Sequence, residues 1–154
     1  MNKLEPKSFK GVIPAMITSF HKNETINKES IRKTINYLIS EKVDGLYITG
    51  STGETFLMSQ EEKKQVIEII VEEVNGRVPV IAHIGSIGTK ITTDLAQYAE
   101  KVGVDALSAL PPFYYGFSND EIFSYYRDIS NSTNLPITVY NISHANLMDL
   151  DMLK

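Results

Sequence analysis

Apolar residues along the chain fall into two alternating patterns. Short, nearly continuous apolar runs are each followed by a longer stretch in which apolar positions recur every three or four residues. These are the periods of a buried strand and of an amphipathic helix. Gly11 to Ile17 is the first run, with Pro14 tolerable at a strand end or a bulge. From Asn27 to Lys42, Ile31, Ile35, Leu38 and Ile39 share one helical face. Gly45 to Thr49 predicts a second strand, Val78 to His83 a third, Asp105 to Leu110 a fourth and Pro136 to Tyr140 a fifth. Between them, one helix buries Val66, Ile67, Ile70, Val71 and Val74, and another, Thr89 to Val102, turns Leu95, Tyr98, Ala99 and Val102 inward. A further helix buries Ile122, Tyr125, Tyr126 and Ile129, and Leu147 onward starts another.

Punctuation supports these boundaries. Ser59 with Glu62, and Ser118 with Glu121, have the spacing of capping boxes. Asn75-Gly76 stops one helix, and Gly103 caps the next. There is also a weak internal repeat: Val43-Asp44-Gly45-Leu46 returns as Val104-Asp105-Ala106-Leu107, and Val78-Pro79-Val80-Ile81 as Leu135-Pro136-Ile137-Thr138. Strict strand–helix alternation implies a parallel sheet with right-handed crossovers. Two architectures fit, a doubly wound open sheet or part of an eight-stranded barrel. A closed barrel needs eight strands and typically about 250 residues, and pattern alone puts the open sheet slightly ahead. The sequence ends just after the fifth predicted strand, inside a predicted helix with no stop signal, and reads as an interrupted protein.

Composition narrows the function. At 154 residues and 42% hydrophobic, the chain can bury a core of one domain. A net charge of −4, with dispersed basic residues, argues against a nucleic-acid or membrane-surface role. There is no cysteine, so disulfides, thiolate metal sites and cysteine nucleophiles are excluded. The first residues lack the apolar core of a signal peptide, and no run approaches the ~18 apolar residues of a membrane span, which implies a soluble cytoplasmic protein. His21, His83 and His144 lack metal-ligand spacing, so no metal is expected. No glycine-rich phosphate loop is present, which disfavours a nucleotide-binding domain.

Candidate chemistry concentrates at two strand ends. Gly50-Ser51-Thr52-Gly53-Glu54 follows the apolar run Asp44 to Thr49. The glycines let the backbone turn sharply and approach a ligand, its N–H groups can converge on an anion, and both hydroxyls can donate to a small carboxylate. Tyr140 ends the fifth predicted strand; if both strands lie in one parallel sheet, their C-terminal ends share a face, and the hydroxyls can meet over one substrate. Each feature also has a structural reading. The glycine segment could be an ordinary turn, Tyr140 a core aromatic with a satisfied hydroxyl, and Tyr114 and Tyr115 interface packing. Glu54 reads as a structural ion pair or backbone hydrogen bond, and Tyr125 and Tyr126 as core; His83 ends a strand and could face a barrel mouth, but reads first as a hydrogen-bonded structural histidine.

Three motifs in succession, Gly50-Ser-Thr-Gly-Glu54, Phe113-Tyr-Tyr-Gly-Phe-Ser118 after a proline pair, and Val139-Tyr-Asn-Ile142, resemble the dihydrodipicolinate synthase / N-acetylneuraminate lyase family of pyruvate-handling aldolases. The likeness runs from about Gly11 to Ile142. Serine first in the glycine loop, Ile81-Ala-His-Ile-Gly85 and the Phe-Tyr-Tyr-x-Phe-Ser run bring it nearest to the N-acetylneuraminate lyase branch. The resemblance implies a (β/α)8 barrel, here truncated to about its first five β/α units in a single incomplete domain over residues 1–154. It implies a homotetramer with no cofactor, acting on a 2-keto acid such as pyruvate or a sialic acid through a Schiff base. Residue by residue, Ser51 and Thr52 would hold the keto-acid carboxylate, Tyr140 would move the proton, and Tyr114 would reach a neighbouring subunit's site.

The same resemblance places the Schiff-base lysine at the end of a sixth strand, past Tyr140. Lys154 is too close to Tyr140 and in a helix, and Lys90 opens a helix with nothing to desolvate its amine. The polypeptide alone is therefore expected to lack aldolase activity. Smaller departures are Ser19 and Ser143, where the family has proline, and His144-Ala-Asn-Leu147, which lacks the family's Gly-Val step. Two other functions stay open: synthase-type condensation of pyruvate with an aldehyde, and a non-catalytic truncated domain that binds a keto acid or a partner.

Overall fold

A computed structural model describes residues 9–142. The elements run α1 (Lys28–Ser40), β1 (Leu46–Ile48), α2 (Gln60–Val74), β2 (Val80–His83), α3 (Thr89–Val102), β3 (Ala106–Ala109), α4 (Asn119–Ser132) and β4 (Ile137–Val139). A one-turn 3-10 helix, Ser51–Gly53, lies between β1 and α2. The expected strand–helix alternation is present, and the predicted helix and the lysine beyond Leu147 lie outside the described residues.

The strands form one parallel sheet in the order β1-β2-β3-β4, each joined to the next through a helix. Five strands were expected, and the sheet has four. The first predicted strand is present as an extended segment with a single parallel bridge, Ala15 to Tyr47. Its backbone bonds to β1 are Met16 N–H to the Tyr47 carbonyl at 2.8 Å and Tyr47 N–H to the Pro14 carbonyl at 3.0 Å. The reason is Pro14. Donors on a strand alternate in direction, so residue 14 is the next donor position facing β1 before Met16, and proline has no N–H to offer there.

Side chains alternate across the sheet. Leu46, Ile48, Val80, Ala82, Leu107 and Ala109 join the helices in one core with Ile31, Ile35, Ile67, Ile70, Leu95, Ile122 and Ile129. Tyr47, Ile81, His83, Ala106 and Ser108 occupy the opposite face, as the register of β1, β2 and β3 requires. This second face is concave. Strands spaced about 4.8 Å apart would put β1 and β4 roughly 14 Å apart in a flat sheet, yet the rings of Tyr47 and Tyr140 have centroids 6.4 Å apart. The Tyr47 hydroxyl also spans β2 to donate to Ser108 Oγ at 3.0 Å. A sheet curled this way is a sector of a barrel, which reverses the slight preference that hydrophobic pattern gave to the open sheet.

Helix ends follow their signals. Both capping boxes are complete, with Ser59 Oγ accepting from the Glu62 N–H and the Glu62 carboxylate accepting from the Ser59 N–H, and likewise Ser118 with Glu121. Gly103 closes α3 at φ 103°, a left-handed conformation that favours glycine. Ser59→Ala is expected to cost about 1 kcal/mol, read as a lower urea midpoint at unchanged slope; an unmoved midpoint would mean the box does not form in solution. Two positions differ from the helical pattern. Tyr98 lies at the surface of α3, where its hydroxyl donates to Glu68 and its ring receives Lys64 Nζ at 5.3 Å. Lys63, part of a lysine pair that pattern alone would leave in solvent, is only 3% exposed.

Candidate active site

The turn after β1 is shaped by its glycines and by one strained threonine. Thr49 has φ 53°, a conformation rare for a β-branched residue. Its hydroxyl, 2.8 Å from the His83 carbonyl, ties the end of β1 to the end of β2. The chain then bends through Gly50, whose carbonyl accepts from Gly53 N–H at 3.0 Å and from Thr55 N–H at 3.3 Å. A Cβ at Gly50 would lie 2.6 Å from Tyr47 Cε1, so the absence of a side chain lets the turn close over that ring. Gly53 is buried against the first segment, its carbonyl accepting from Thr18 Oγ1 at 2.8 Å. Ser51 and Thr52 sit on the outside of this turn, exposed. Glu54 takes a left-handed conformation at φ 59°, and its N–H donates to the Ser51 carbonyl, in keeping with a structural role.

Tyr140 is the first residue after β4, half-buried, with its N–H donating to the Ala109 carbonyl at 2.8 Å. Parallel register puts it at the same end of the sheet as the Ser51–Thr52 turn. The two are linked through side chains: Gly50 abuts the Tyr47 ring, and the Tyr47 ring meets that of Tyr140 edge-on, at 77°. Burial raises the Tyr47 phenol above its ordinary pKa, partly offset by its bond to Ser108.

Tyr114 is placed differently. It is 86% exposed, has φ 82°, and packs its ring against Tyr115, with centroids 4.9 Å apart. A tyrosine in the left-handed region is strained, and such strain gathers at functional sites. Among the described residues, no ring contact joins Tyr114 to Tyr140; the adjacent Phe113 meets Phe56, with centroids 4.7 Å apart. Phe56 in turn stands edge-on to His83 at 6.2 Å.

His83 is the residue that sequence reasoning undervalued. From its sequence position it reads first as a hydrogen-bonded structural histidine. It is 1% exposed, and neither ring nitrogen makes a well-formed hydrogen bond among the described residues, although the Thr49 backbone lies near enough to the ring to act as a strained acceptor. Burial, reinforced by the charge of nearby Lys63, lowers its pKa to about 4, so the imidazole is neutral near pH 7. Desolvation lowers the Lys63 pKa as well. The only available signal was the strand-end position of His83, and nothing in sequence marks a lysine on a helix as buried.

No described lysine has the setting of an accessible nucleophile. Lys90 is solvated, its ammonium 2.6 Å from Asp94 Oδ1. Lys63 is desolvated, but at 3% exposure it is out of reach of a solute. Among the described residues, no group of three or more His, Cys, Asp or Glu could hold a metal ion, and no helix is long and apolar enough to cross a membrane.

Comparison with known proteins agrees with this geometry. Residues 8–153 match the model of the dihydrodipicolinate synthetase family. An N-acetylneuraminate lyase from Citrobacter koseri is 44% identical over 137 residues, 88% of this chain and 46% of that protein. The crystal structure of N-acetylneuraminate lyase from Mycoplasma synoviae superposes with a TM-score of 0.87 at 40% identity, covering 96% of this chain and 50% of the other. Dihydrodipicolinate synthase from Aquifex aeolicus gives 0.91 at 27% identity, covering 94% and 50%. These structures are (β/α)8 barrels, and the curled four-stranded sheet is part of one. The chain spans about half the length of the relatives it matches.

Proposed function

The chain belongs to the dihydrodipicolinate synthetase family, and from that premise we propose that it is the N-terminal part of a pyruvate-dependent, aldolase-type lyase. One observation carries this reading: the Ser51–Thr52 turn and the Tyr140 phenol stand at one end of a curled parallel sheet, joined through the Tyr47 ring. In the proposed chemistry the hydroxyls of Ser51 and Thr52 clamp the keto-acid carboxylate, which fixes its carbonyl for attack and lowers the entropic part of the barrier. Tyr140 moves the proton at the reacting centre, as a positioned general acid and base. The attacking amine belongs to a lysine beyond the described residues. Exposed Phe56, Leu57, Tyr114 and Tyr115 support contact with further subunits of a tetramer.

The curated relatives named N-acetylneuraminate lyase favour cleavage of a sialic acid or a similar 2-keto acid. The structural match to dihydrodipicolinate synthases keeps condensation of pyruvate with an aldehyde as the second reading. Assays of cleavage and condensation, each with a range of aldehydes, separate the two.

Titrating the chain with pyruvate, followed by calorimetry, tests the site directly. A hydrogen bond to a charged group contributes about 1.5–3 kcal/mol, so Ser51→Ala and Thr52→Val are each expected to weaken binding by about tenfold or more. Equal affinity in wild type and both variants would overturn the clamp. Borohydride trapping in the chain extended through its reading frame tests the chemistry; failure to form a pyruvate adduct on a lysine beyond residue 154 would end the aldolase reading.

A further inference from the structure

On the concave face, three rings form a nearly equilateral triangle. The centroid separations are 6.4 Å for Tyr47–His83, 6.4 Å for Tyr47–Tyr140 and 6.3 Å for His83–Tyr140. Tyr140 stands nearly perpendicular to both partners, at 77° to Tyr47 and 88° to His83, the edge-to-face arrangement that aromatic quadrupoles favour. Its ring orientation is therefore set by two neighbours, each fixed in turn. Tyr47 is anchored by Ser108, and His83 is confined by Phe56 on one side and by Gly85, where a Cβ would sit 3.0 Å from its Nε2.

Packing alone does not account for a histidine in this triangle. A phenylalanine would offer a ring of similar size with no polar atoms to desolvate. His83 instead buries two nitrogens that make no well-formed hydrogen bond among the described residues, with the Thr49 backbone as a poorly aligned neighbour. Leaving such a bond poorly made is destabilising, and an under-satisfied buried polar group in a native site calls for a role. The burial and the Lys63 charge that keep the ring neutral leave it with one donor and one acceptor near Tyr140.

We infer that His83 is a positioning residue for Tyr140: its ring orients the phenol in the free protein, and its nitrogen becomes the hydrogen-bond partner of the Tyr140 hydroxyl when a keto acid is bound. This rests on the keto-acid reading of the site and adds to it a residue that acts through Tyr140 rather than on the substrate.

The chain has 3 histidines, so its imidazole nitrogens can be followed individually by 15N nuclear magnetic resonance. In wild type at pH 6, the His83 signals are expected to be those of a neutral ring and to shift as pyruvate saturates. In Tyr140→Phe the ring is expected to remain neutral, with the pyruvate-induced shift lost. His83→Phe is expected to bind pyruvate about tenfold more weakly while melting no lower than wild type, and His83→Gln, which keeps a donor and an acceptor, is expected to bind between the two. A purely structural histidine gives the opposite pattern, with stability lost and pyruvate affinity kept. A His83 signal that ignores pyruvate, or moves equally in Tyr140→Phe, overturns the inference even if His83→Phe fails to fold. Absence of pyruvate binding by wild type would overturn the keto-acid reading itself, and this inference with it. Binding with an indifferent His83 overturns this inference alone.

Discussion

Taking the chain from pH 7 to pH 4 is expected to remove about 3 kcal/mol of folding stability through His83 alone. The group is held neutral, with a folded pKa of about 4 against the ordinary 6.5. In the unfolded chain it takes up a proton as the pH falls through 6.5; in the folded chain it resists until about 4. The unfolded state therefore binds more protons across this window, and stability falls as the pH is lowered. Above pH 6.5 the full contribution is present. Urea unfolding at several pH values between 7 and 4 measures the slope, and His83→Phe should flatten it by about one proton. Equal slopes in the two proteins would show that the imidazole is not buried as described. Lys63 adds to the effect, because its charge opposes a second positive charge on the ring.

Leu107→Ala is expected to cost about 2–5 kcal/mol, the range for removing a buried leucine side chain with incomplete collapse of the cavity. Leu107 is fully buried in β3, facing the helices, and is paired with Ala82 and Ile137 on either side. Total stabilities of single domains are about 5–15 kcal/mol, so this substitution alone should lower the urea midpoint severely or prevent folding. Phe123→Ala on the outer face of α4, where the ring is 45% exposed, is the control and should shift stability by no more than about 0.5 kcal/mol. Comparable losses from the two would contradict the separation of inner and outer surfaces.

Features set by near neighbours in sequence were legible before the structure. The bounds of α3, Thr89–Val102, follow from the pattern and from Gly103, because the residue after the helix must adopt a left-handed turn. The buried positions of α4, Ile122, Tyr125, Tyr126 and Ile129, follow from helical period alone. Strand number was less legible, since a missing donor at Pro14 changes how many residues pair without changing their apolar character. Tyr98 satisfies helical spacing, yet Glu68 and Lys64 on α2 hold it at the surface. In the candidate site, the motifs marked Ser51, Thr52, Tyr140 and Tyr114. They gave no hint that Tyr47 and His83 lie between the turn and the phenol, because that proximity comes from the curl of the sheet. The burial of Lys63, whose charge is felt at His83 on β2, likewise comes from tertiary packing and not from the helical pattern of α2.

Curvature here has a tether of its own. The Tyr47–Ser108 hydrogen bond runs from β1 to β3 across the strand between them, like a chord drawn beneath an arc. Flattening the arc would stretch the chord, and the Ser108 hydroxyl, buried as it is, would lose its partner with no solvent to replace it. These strands thus carry part of the information for closing a barrel in one side-chain contact, before any further strand arrives to complete the ring.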